Sequence, residues 1–136
     1  MSALSPSADL ALLRETYKQD KAAVLRTLAN SGSAARGLKQ TLKQLSILAD
    51  GLLIQLWQNA QFAPDLSLVA VGGFGRAELF PHSDVDVLVL LPDGQSPEHS
   101  PELQGQLERF IGSCWDTGLE IGASVRTLSE CLAESA

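Results

Sequence analysis

Asp84 and Asp86 stand two positions apart, at the start of an apolar run that ends at Leu91. If that run is a strand, period-2 alternation puts both carboxylates on one side, roughly 6–7 Å apart at the Cα level. Both can then reach one or two divalent cations placed between them. Magnesium takes one or two carboxylates together with waters and substrate phosphates, in preference to an all-protein cage. Metal-assisted phosphoryl or nucleotidyl transfer needs such a pair. One ion orients and activates the attacking oxygen, and the other neutralises the triphosphate and the leaving pyrophosphate.

A glycine turn precedes the pair. Gly72-Gly73-Phe74-Gly75 follows a short β-like run at residues 66–71. Without Cβ atoms, the Gly72-Gly73 backbone can approach a ligand and turn its N–H groups toward phosphate oxygens. Ser83 offers a hydroxyl for the same phosphates or for capping, and Arg76 a fixed positive charge. The turn is not a phosphate-binding loop of the Gly-Lys-Ser/Thr kind. It is not Gly-x-Gly-x-x-Gly either, because Glu78 occupies the third glycine's place.

Each piece alone has a plainer reading. An Asp-x-Asp after a serine is commonly a solvated strand start, and Gly-Gly commonly just a turn. Together they are harder to explain that way. Two carboxylates at the mouth of a Val/Leu strand repel each other and lose hydration unless a cation or a basic partner sits there. Arg76 could be that partner, bridging to Asp84 or Asp86. Glu78 either pairs with Arg76 or lies near the site. His82 reads as a loop side chain, with no triad around it.

The elements that must position these residues are legible around them. Residues 8–29 place Leu10, Leu13, Tyr17, Val24 and Leu28 at helical intervals. Asn30-Ser31-Gly32-Ser33 breaks the pattern, and Ser33 can cap a second helix at 34–59 with Leu38, Leu42, Leu45, Leu52 and Leu56 on one face. The short link predicts antiparallel neighbours with a packing role. Val85–Leu91 reads as a central strand buried on both faces. Residues 92–101 form a polar loop. Residues 102–116 read as a helix with Leu103, Leu107, Phe110, Ile111 and Trp115 inward, and 118–126 as the next strand. Thr127 and Glu130 match a capping box that opens a last helix. The expected class is α+β: a small mixed sheet with flanking helices, preceded by a helical hairpin. Residues 1–62 form the helical region and 63–136 the core. A helix beginning so near Ala136 has little to bury it, so the chain reads as a piece of something longer.

Composition sets bounds. The chain has 136 residues, 45% of them apolar and 19% charged. That suits one packed domain and excludes a disordered chain. Ten basic against sixteen acidic residues give a net charge of −6, which argues against a sequence-tolerant DNA or RNA binder. Cys114 and Cys131 form neither a metal spacing nor a disulfide framework. No signal peptide is visible, and no apolar run approaches the roughly 20 residues of a membrane span. A cytoplasmic setting is the expectation.

The string Gly72-Gly73-Phe74-Gly75-Arg76-Ala77-Glu78-Leu79-Phe80-Pro81-His82-Ser83-Asp84-Val85-Asp86 resembles the nucleotidyltransferase superfamily that includes DNA polymerase beta. More closely, it resembles the N-terminal domain of the bifunctional uridylyltransferase/uridylyl-removing enzymes of bacterial nitrogen control. The run from Trp115 to Gly122, Ser124-Val125-Arg126-Thr127 and Glu130-Cys131-Leu132 are similar to that family too, as is the helical pair. Ala77 departs from it, where a glycine is more usual.

The resemblance implies a polymerase-beta-like fold and a magnesium-dependent transfer of UMP from UTP to a tyrosine of the PII signalling protein. It implies Asp84 and Asp86 as catalytic metal ligands, and Gly72, Gly73, Arg76 and Ser83 around the nucleotide. Glutamine would be sensed by domains outside these residues. The superfamily adds a third carboxylate on a later strand, expected beyond residue 136, with Glu120 the one acidic candidate in the 118–126 stretch. Without that ligand the 136 residues alone should turn over little. An adenylyltransferase of the same fold and a nucleotide-sensing module that binds without transfer are the competing readings. Uracil over adenine rests on the resemblance alone.

Overall fold

The computed structural model describes residues 6–31, 35–71 and 85–135. Among them the order is α1 (Pro6–Ser31), α2 (Ala35–Ala60), β1 (Ser67–Ala70), β2 (Val85–Leu91), a 3₁₀ turn at Pro97–His99, α3 (Pro101–Asp116), β3 (Ile121–Thr127) and α4 (Leu128–Ser135). The class is the mixed α+β expected. Gly72 to Asp84, and Ser33 with its proposed cap, lie outside the described residues.

The strands form one sheet in the order β1-β2-β3. β1 runs antiparallel to β2, with Ala70 opposite Val87. β3 runs parallel to β2, with Asp86 opposite Gly122 and Leu91 opposite Thr127. The parallel pair needs a crossover, and α3 supplies it. One face of the sheet is closed by helices. Val85, Val87, Phe110, Leu119 and Ile121 join Tyr17 of α1 and Ala49, Leu52, Leu53 and Leu56 of α2 in one apolar cluster. Leu66, Val89 and Leu91 pack with Leu103 and Leu107 of α3 in a second. The helical pair and the sheet therefore share a core.

The ends of α3 are fixed by capping. Ser100 Oγ accepts from the Leu103 N–H at 3.3 Å, and Pro101 sits where no N–H is needed. At the far end Gly118 takes φ +99°, the Leu119 N–H donates to Cys114 O at 2.8 Å, and the Gly118 N–H donates to Trp115 O at 3.1 Å. This is a Schellman cap, and buried Leu119 closes it against the core. Three aromatic rings tie α2 to α3: Trp57 lies 4.2 Å from Phe62, and Phe110 meets both rings edge-on at 5.3 and 5.8 Å. Gln106 Nε2 completes the joint by donating to the Ala60 and Gln61 carbonyls at the end of α2.

Four expectations change. β3 starts at Ile121 rather than 118, because Gly118 and Leu119 are committed to the helix cap. Trp115 is 54% exposed and Cys114 fully buried; the inward stripe runs 103, 107, 110, 114, and Trp115 sits one residue past it. Leu38 is 40% exposed, while Leu42, Leu45, Leu52 and Leu56 are buried. β2 is central, but among the described residues helices close one face only: Val85, Val87, Val89 and Leu91 are buried, Leu88 and Leu90 half-buried, and Asp86 exposed.

Candidate active site

Asp86 is the second residue of β2, and pleating turns its side chain away from the helices. The register defines what shares its face. Leu88 and Leu90 follow on β2; Gly122, Ser124 and Arg126 lie opposite them on β3, and Val69 and Ser67 on β1. The Asp86 carbonyl accepts from the Val71 N–H at 3.0 Å, which extends the β1 pairing to the strand's first residues. The backbone at Asp86 is thus held on both sides, and no helix among the described residues covers the face it looks onto.

Among the described residues no group hydrogen-bonds to the Asp86 carboxylate or pairs with it. Across the pleat, a Cβ placed on Gly122 would stand 3.0 Å from Asp86 Oδ1. The missing side chain leaves the carboxylate its room. The donor is a hard, exposed carboxylate oxygen, of the kind a hard divalent cation such as magnesium takes. Gly72, Gly73, Arg76, Ser83 and Asp84 lie outside the described residues, as do Glu78 and His82. Of the residues singled out from the sequence, the structure therefore places Asp86 and Glu120.

Glu120 is exposed, and its carbonyl accepts from the Val85 N–H at 2.9 Å. That bond sets it beside the start of β2, one position ahead of β3. Among the described residues no group of three or more His, Cys, Asp or Glu is arranged to hold a metal.

The opposite end of the sheet holds a second acidic group of different character. Asp93 follows β2, and its Oδ2 accepts from Ser129 Oγ at 2.6 Å and its Oδ1 from the Ser129 N–H at 2.9 Å. Those bonds, the hydroxyl's foremost, hold the carboxyl below the usual carboxylate range. The expected capping box is present beside it: the Thr127 N–H donates to Glu130 Oε1 at 2.9 Å, and the Glu130 N–H donates to Thr127 Oγ1 at 3.2 Å. The Thr127 amide foremost lowers the Glu130 pKa. These carboxylates are spent on capping α4. Cys114 is fully buried, and burial pushes its thiol up to about 12. A cleft of about 770 Å³ between α2 and α3 carries Asn59, Gln106 and Arg109, and does not include Asp86.

Sequence reasoning missed Gly122. A glycine inside a strand is itself a signal of close approach, but its partner across the pleat is known only from the register.

Comparison with known proteins points one way. Residues 53–131 match the family described as nucleotidyltransferase domain. The chain is 44% identical over 131 residues to the bifunctional uridylyltransferase/uridylyl-removing enzyme of Burkholderia vietnamiensis, covering 96% of this chain and 14% of that protein. It is 51% identical over 115 residues to the protein of the same name in Burkholderia mallei strain SAVP1, covering 85% of this chain and 13% of that protein. The chain thus spans about a seventh of the relatives it matches. No solved structure gives a significant match. No helix among the described residues is long and apolar enough to cross a membrane.

Proposed function

The chain belongs to the nucleotidyltransferase domain family, and on that premise we propose that it forms part of a cytoplasmic, metal-dependent uridylyltransferase that moves UMP from UTP to a tyrosine of the PII signalling protein. The observation that carries this reading is Asp86: a carboxylate fixed by backbone bonds on both sides, exposed, and unpartnered among the described residues. The relatives' name supplies the uridylyl group. The PII acceptor, and glutamine as the signal sensed elsewhere in the protein, come from the family resemblance.

Asp84 and Asp86, two positions apart in the sequence, would hold the cation between their carboxylates. Bound there, magnesium supplies positive charge for the triphosphate and orientation for the attacking oxygen. On the family resemblance, Gly72 and Gly73 would offer backbone N–H groups to the phosphates, with Ser83 and Arg76 adding a hydroxyl and a fixed charge. The tyrosine hydroxyl loses its proton to water, and its oxygen bonds to the α-phosphorus as the bond to pyrophosphate breaks. The rigid sheet holds Asp86 in place before substrate arrives, which lowers the reorganisation the reaction needs.

The test uses the whole protein with magnesium, purified PII and either UTP or ATP, and follows the mass of PII. A uridylyl-sized gain with UTP alone, lost in Asp84→Asn, supports the proposal. A gain with ATP instead makes the enzyme an adenylyltransferase. Magnesium-dependent nucleotide binding without any gain makes it a sensing module.

A further inference from the structure

Gly122 lies in β3 directly across from Asp86. A β-carbon added there would stand 3.0 Å from Asp86 Oδ1, closer than side-chain carbons ordinarily come to oxygen. Its backbone does not call for glycine: the described glycines with positive φ are Gly94 and Gly118. Glycine also weakens a strand, since it loses more conformational freedom on folding than any other residue. The position is exposed, so core packing does not exclude a side chain. Gly51, Gly94 and Gly112 have nothing within 4 Å of an added Cβ, and Gly105 would meet only the end of the Arg109 side chain. Gly122 alone among the described glycines would drive a methyl group against a carboxylate.

We propose that Gly122 is a positioning residue for Asp86: the absent side chain leaves the carboxylate free to hold the orientation a divalent cation requires. The proposal rests on the reading of Asp86 as a metal ligand. An alanine there must push the carboxylate aside by a few tenths of an ångström or turn it about its own χ angles. Magnesium demands near-ideal geometry at short distances, so a displaced ligand weakens the site without unfolding the strand.

The experiment compares wild type, Gly122→Ala, Asp86→Asn and, as a control, Gly112→Ala in the whole protein. It reads Mn²⁺ binding by electron paramagnetic resonance, the magnesium dependence of nucleotidyl transfer, and the melting midpoint. Gly122→Ala is expected to melt no lower than wild type. It is expected to bind Mn²⁺ about tenfold more weakly and to transfer about 10- to 100-fold more slowly, the usual range when the support of a metal ligand is lost. Higher magnesium should recover part of the rate. Gly112→Ala should match wild type in metal binding and rate. Wild-type Mn²⁺ binding and rate in Gly122→Ala, with both lost in Asp86→Asn, would overturn the role of Gly122 and leave the site standing. A lowered midpoint in Gly122→Ala would make the glycine a packing residue and overturn the proposal as well. Both readouts intact in Asp86→Asn would overturn the metal reading and this one with it.

Discussion

Val87 and Asp86 are neighbours in β2 and face opposite ways. Val87 is 1% exposed, inside a cluster that draws on both long helices, α3 and the strands. Asp86 looks onto a face where Leu88 and Leu90 are half-buried and Gly122 and Ser124 exposed. The backbone is equally well bonded on either side of the sheet. The difference lies wholly in what the side chains meet. The helical face is filled, and that filling is where stability comes from. Among the described residues the Asp86 carboxylate has no protein partner, and the proposed function rests on that. The end of the same strand sharpens the contrast, because Asp93 has both oxygens occupied by Ser129.

The largest expected effect belongs to the filled face. Phe110 is 1% exposed and meets both Trp57 and Phe62. Phe110→Ala should cost about 3–5 kcal/mol in urea unfolding, by lost transfer energy and the cavity left behind. A cost under about 1 kcal/mol would mean that this face does not hold the fold together.

A smaller effect is expected at Asp93 and Glu130. Hydrogen bonding lowers both pKa values in the folded state. Groups so lowered contribute stability above the ordinary carboxylate range and lose it as the pH falls below that range, near about 4. The melting midpoint should therefore drop on acidification, and Asp93→Asn should flatten that slope while lowering the midpoint at neutral pH by less than Phe110→Ala does. An unchanged acid slope would show that the cap on α4 adds nothing.

The smallest effect is a gain. Gly112 is exposed within α3, with nothing within 4 Å of an added Cβ. Gly112→Ala should stabilise by about 0.5–1 kcal/mol. A loss instead would mean that α3 meets something on its outer surface.

Local chemistry was readable from the residues alone. The bounds of β2, the Thr127–Glu130 capping box and the two long helices follow from apolar periodicity and capping types, which act within a few positions of chain. The start of β3 did not, because Gly118 serves a helix end rather than a strand, and composition does not separate the two. Trp115 was expected inward with Leu103, Leu107, Phe110 and Ile111, but the stripe through Phe110 and Cys114 places it outside. That the described helices cover one face of β2 alone could not be seen either. A run of Val and Leu looks the same whether one face is covered or two, and only packing against other elements decides. Of the candidate site, Asp86 was found from its spacing to Asp84, whereas Gly122 needed the strand register.

The most direct test of the account is Asp86→Asn in the whole protein, with transfer from UTP and thermal melting measured on the same preparation. The account predicts a rate at least about a hundredfold lower, since a metal's charge stabilisation is worth several kcal/mol. The melting midpoint should be unchanged, since the side chain is exposed. A rate near wild type, or a lost rate accompanied by a collapsed midpoint, would contradict it.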